Sequence, residues 1–69
     1  KDVTGPTRLG YSLEVGRGVI DFPAMVRMIR KVGYTGVASL EHERNQDNPF
    51  MGIAESIGYF RGVIETTKE

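Results

Sequence analysis

The chain has no cysteine, a single histidine and no net charge, with nine basic residues set against nine acidic ones in 69 positions. Without cysteine there is no disulfide and no thiolate metal site, which suits a reducing compartment. The charge balance supplies no basic stripe for nucleic acid. One histidine excludes H-E-x-x-H and every other two-histidine spacing, so the chain does not assemble an imidazole-based metal site by itself. Apolar runs long enough to cross a bilayer are also missing, as is any secretion or transit signal. The expected setting is therefore cytoplasmic, with no membrane partner. A chain of this length makes at most one domain and buries only about 60% of its unfolded surface, so it is marginal without help.

What is present divides into four segments. Residues 1–20 are glycine-rich and start with the breaker Gly5-Pro6, but Leu9, Tyr11, Leu13 and Val15 alternate with Arg8, Gly10, Ser12 and Glu14. Period-two alternation reads as a loop or edge strand, weakened by Gly10. Residues 21–33 read as a helix: Asp21 is an N-cap, Pro23 fits the first turn, and Gly33 is a left-handed stop. Phe22, Met25, Val26, Ile29 and Val32 make its apolar stripe, with Arg27, Arg30 and Lys31 opposite and near the end where the helix dipole favours cations. Residues 35–41 read as a strand with Val37, Ser39 and Glu41 on one face and Ala38 and Leu40 on the other. After the polar tract Glu43 to Asn48, residues 48–66 read as a second helix. Asn48 is its N-cap, Pro49 its first position, and Ile53, Ile57, Phe60 and Ile64 its buried stripe. Helix-strand-helix order is typical of parallel α/β folds.

Glu41 is the strongest chemical candidate. A carboxylate closing a strand of small and apolar residues is costly to bury without a metal or cation, and active sites of α/β proteins gather at such strand ends. The rival reading is an acid pointing into solvent. Glu43 shares its face if the strand continues, and reads better as a solvated loop acid. His42 faces the other way by alternation and reads as a surface or supporting residue. Gly16-Arg17-Gly18 resembles the opening of a dinucleotide loop, but Asp21 stands where the third glycine belongs and no clear strand precedes it. Arg17 is then either a loop charge or an anion contact. No nucleophile, histidine and acid are arranged as a triad.

Taken together, Val15 to Pro23 (VGRGVIDFP), Val32 to Gly36 (VGYTG), Ser39 to Glu41 (SLE) and Ser56 to Arg61 (SIGYFR) resemble the C-terminal end of sugar phosphate isomerase/epimerase proteins. These belong to the xylose-isomerase-like TIM barrel superfamily. The resemblance runs over nearly the whole chain, in the family's order and spacing, though no single piece is specific. It implies the C-terminal piece of a (β/α)8 barrel, with 35–41 as the eighth strand. Glu41 is then a ligand of a divalent metal (Mn, Mg, Co or Zn) and a candidate base. Lys1-Asp2 resembles the end of the family's His-x-Lys-Asp signature, whose His would precede Lys1. Arg8 and Arg17 match substrate-contacting loop positions. The implied reaction moves a proton next to the carbonyl of a sugar or sugar phosphate.

Two other classes stand beside this one. A 69-residue piece, starting abruptly at Lys1, is expected to be catalytically inactive alone and to associate with itself or with the rest of a barrel. A DNA-repair protein like endonuclease IV, from the same superfamily, is disfavoured by the neutral charge.

Overall fold

The computed structural model describes residues 1–5, 10–44 and 47–68. It is a small mixed α/β chain of two helices and a two-stranded sheet. Strand β1 (Asp2–Val3) pairs antiparallel with β2 (Ser12–Leu13), Asp2 opposite Leu13 and Val3 opposite Ser12. The Thr4 amide donates to the Tyr11 carbonyl at 3.0 Å, extending the ladder by one bond, and the Tyr11 amide donates to the Thr4 hydroxyl at 2.9 Å. The alternating segment is thus a strand only at its centre, and its Leu9 lies outside the described residues.

Helix α1 (Phe22–Val32) forms as the sequence leads one to expect. The Asp21 carboxylate accepts from the Ala24 amide at 3.0 Å, and Gly33 ends the helix at φ 73°. There the Gly33 amide reaches the Arg30 carbonyl and the Tyr34 amide the Ile29 carbonyl, at 3.1 and 3.2 Å, a Schellman-type closure. Helix α2 (Phe50–Thr66) starts one residue later than the expected first position, Pro49. Pro49 occupies the cap position with helical backbone angles, and no side chain caps the first turn, so Asn48 is not the cap.

The core is Val15, Phe22, Val26 and Val63, flanked by Phe60 and Ile64. Phe22 meets Tyr59 and Phe60 edge-on, with ring centroids 6.3 and 6.2 Å apart, the arrangement aromatic quadrupoles favour. Only part of each expected stripe is used. Met25 and Val32 of α1 and Ile57 of α2 lie exposed, because the single helix pair covers one side of each cylinder. The inward line of α2 runs through Ser56, Phe60, Val63 and the following Thr67, rotated from the line through Ile57. Two polar residues mark that line, and both are bonded. The Val15 amide donates to the Ser56 hydroxyl at 3.0 Å, and the Thr67 hydroxyl donates to the Val63 carbonyl at 2.6 Å.

The expected strand at 35–41 is not formed. There is a bend at Gly36, and no backbone–backbone hydrogen bond joins any of residues 35–44 to another described residue, the Val37 carbonyl accepting instead from the Tyr34 hydroxyl at 2.7 Å. A strand is stable only when its amides and carbonyls are paired. The two strands present pair with each other, and this segment joins neither. Its side chains stay in water, Val37 at 82% exposure.

Candidate functional site

Asp2 is the most buried charged residue, with no exposed surface. Its Oδ1 accepts from the amides of Val3 (2.8 Å) and Ile20 (3.1 Å), and its Oδ2 from those of Gly16 (3.2 Å) and Gly18 (2.9 Å). Burial alone raises a carboxyl pKa, but the amides of Ile20, Val3, Gly18 and Gly16 outweigh it and hold Asp2 below its ordinary value. The two glycines make this cradle possible. A Cβ at Gly18 would collide with the Asp2 carboxylate and the Val3 carbonyl, and one at Gly16 (φ 102°) would stand 2.7 Å from Tyr59 ring atoms. The glycine loop is therefore an anion nest whose anion is the chain's own carboxylate. That is why its likeness to a dinucleotide loop leads nowhere.

With Asp2 clamped, Lys1 is directed at the segment after Leu40. Its Nζ lies 2.5 Å from Glu43 Oε1 and 3.6 Å from Glu41 Oε1. The hydrogen bond to Glu43 and its charge raise the Lys1 pKa. In turn the Lys1 hydrogen bond and the Lys1 charge hold Glu43 low. Glu41, the expected metal ligand and base, keeps 74% of its side chain in solvent, so its oxygens are open to a ligand. Two adjacent carboxylates around one ammonium leave a net negative charge, and their hard oxygens suit a divalent ion. No three His, Asp or Glu side chains among the described residues are grouped to hold a metal ion.

Of the two arginines expected to touch substrate, Arg8 lies outside the described residues. Arg17 is committed elsewhere: its Nε and Nη2 fork onto Glu55 at 2.5 and 2.6 Å. This bidentate pair ties the loop to α2 and borders an open cleft of about 580 Å³ that also includes Glu14, Asp47, Asn48 and Met51. The Glu55 hydrogen bond and charge raise the Arg17 pKa, and that same bond lowers that of Glu55.

Glu14, in the wall of this cleft, is a nearly buried acid that nothing in the sequence singles out. Arg44 Nε approaches its Oε1 to 3.3 Å without the alignment of a hydrogen bond. The His42 ring packs so closely on Gly52 that a Cβ there would overlap it, and Glu14 Cγ meets the same point. His42 is thus half-buried against α2 and turned from Glu41's solvent-facing side, with its Nε2 buried and unbonded among the described residues. Glu14 is missed from the sequence, and Lys1 and Asp2 stand there only as a likeness to a family signature, with no role of their own. The signal for Asp2 was Gly16-x-Gly18, whose bare amides call for an anion.

No protein-family model matches the chain, and no curated protein sequence is significantly similar to it. No helix among the described residues is long and apolar enough to cross a membrane.

Proposed function

We propose that this chain is the C-terminal segment of a metal-dependent sugar or sugar phosphate isomerase/epimerase that moves a proton next to a carbonyl. The observation carrying the reading is the junction of Lys1 with Glu41 and Glu43. By resemblance, Lys1-Asp2 and Ser39 to Glu41 belong to the ends of neighbouring barrel strands, and such ends lie side by side at the mouth of a barrel. Their meeting here, without the rest of a barrel to force it, supports that assignment.

In this reading Glu41 donates a carboxylate oxygen to a divalent ion and is placed to take a proton. Lys1 steadies the acid pair, and Asp2 fixes Lys1 by anchoring the backbone beside it. When bound, the metal polarises the substrate carbonyl and offsets the negative charge that develops on its oxygen. The remaining ligands come from outside these 69 residues, so the isolated chain binds such ions weakly.

The test uses the complete enzyme carrying this segment. Glu41→Gln keeps the size of the side chain and removes its charge, so it is expected to lose most Mn²⁺ affinity and most aldose-ketose turnover while keeping the wild-type melting profile. A variant that binds Mn²⁺ and turns over sugar like the wild type would refute the assignment.

A further inference from the structure

The C-terminal ends of the two helices meet at a hollow that the proposed function leaves unused. It is open, about 440 Å³ in volume, and lined by Arg27, Arg30, Lys31 and Thr67. Arg30 and Lys31 follow Arg27 by three and four positions, which brings the cations to one face of α1. Like charges so placed repel, and a helix carries them at a cost unless something negative offsets them. Elsewhere the chain supplies that offset itself, since Lys1, Arg17, Arg44 and Lys68 each pair with a carboxylate. Arg27, Arg30 and Lys31 have no carboxylate partner among the described residues, and all of them face this hollow.

The helix ends account for only part of this charge. Each C-terminus carries roughly half a negative charge, so α1 and α2 together offset about one of the cations and leave the hollow positive. One of its walls is fixed in place. The Arg30 guanidinium donates to the Thr67 hydroxyl and to the Ile64 carbonyl, both at 2.6 Å, and has N–H groups to spare. Thr67 is buried and held in turn by its bond to the Val63 carbonyl.

We infer that this hollow binds a phosphate dianion, with Arg30 as its fixed donor and Arg27 and Lys31 closing on it. A tetrahedral oxyanion matches both a forked guanidinium and a point-charge ammonium. A nucleic acid fits less well, since the cations occupy one end of one helix in a chain without net charge. The hollow is also apart from the junction of Lys1 with Glu41. The length of α1, roughly 16 Å, separates it from Asp21, beside which Asp2 accepts from the Ile20 amide. Neither metal nor proton transfer is involved, so phosphate binding and the role given to Glu41 stand or fall separately.

The test follows the amide resonances of the full chain during titration with ethyl phosphate and with inorganic phosphate at fixed ionic strength, with sodium chloride as the blank. Either phosphate is expected to give saturable shifts in the millimolar range at residues 27–33 and 67, weaker as salt rises. Ethyl phosphate binding as tightly as inorganic phosphate identifies the ligand as a phosphomonoester, and a several-fold preference for inorganic phosphate identifies it as the free ion. Arg27→Gln and Lys31→Gln are each expected to weaken binding several-fold, and together about tenfold or more, with the helical circular dichroism unchanged. Arg61→Gln, outside the hollow, leaves binding as it was. Shifts that do not saturate, an affinity unchanged in the double variant, or an equal loss in Arg61→Gln would each overturn the inference. So would a single-stranded oligonucleotide of about ten residues that binds about a hundredfold more tightly than ethyl phosphate, which marks a nucleic-acid contact instead.

Discussion

Asp2 shows how much one side chain can decide. Its two oxygens use four backbone amides that would otherwise need water, and the loop from Gly16 to Ile20 has its shape through them. Asp2→Ala is expected to cost about 2–4 kcal/mol, because buried donors lose their acceptor; urea unfolding followed by circular dichroism measures it. The same carboxylate sets an acid limit. Its folded pKa lies below the ordinary 3.8, so its contribution is fully present above that value and is lost as pH falls through the folded pKa. Melting temperature should therefore decline on acidification below about pH 4, and more steeply in the wild type than in Asp2→Asn. Gly18→Ala removes the cradle from the other side, and no rotamer relieves its clash with the Val3 carbonyl.

At the scale of elements, the two helices are joined by apolar contact on one side and by Arg30 on the other. Its Nη1 donates to the Thr67 hydroxyl and its Nη2 to the Ile64 carbonyl, both at 2.6 Å. A cation that the sequence marks as a partner for the C-terminal end of α1 thus satisfies one of the open carbonyls closing α2, that of Ile64. Arg30→Ala is expected to lower stability by about 1–2 kcal/mol and to speed amide exchange in the last turn of α2. Arg30→Lys should recover only part of this, since an ammonium does not reproduce the planar fork. The Arg17–Glu55 pair is better exposed and contributes little to stability.

For the whole molecule, the small core governs behaviour. Four buried apolar residues, with Phe60 and Ile64 beside them, hold the helices to each other and to the loop that follows β2, and Phe22 meets the rings of Tyr59 and Phe60 edge-on. Phe22→Ala is expected to cost about 3–5 kcal/mol, comparable to the whole net stability of a core this size. Far-ultraviolet circular dichroism of that variant should show the helices lost at room temperature, whereas Met25→Ala, on the exposed side of α1, should leave them intact.

The sequence by itself determined the elements that local chemistry can build. Asp21, Pro23 and Gly33 delimit α1, because cap bonds and left-handed backbone are properties of adjacent residues. The helical period likewise located α2 to within one residue of its start. Tertiary structure alone decided which side of each helix is used, since apolar residues ring α2 and only contact with Val15 and Phe22 selects the line through Ser56 and Val63. It also decided that 35–41 has no ladder in this chain, for a strand is a relation between two segments and its composition names no partner. The site divides the same way. The sequence marks Glu41 as a candidate from its place after small and apolar residues, but its junction with Lys1 is seen only in the fold, beside the Asp2 cradle, which joins positions up to 18 residues apart through backbone amides that a sequence does not display.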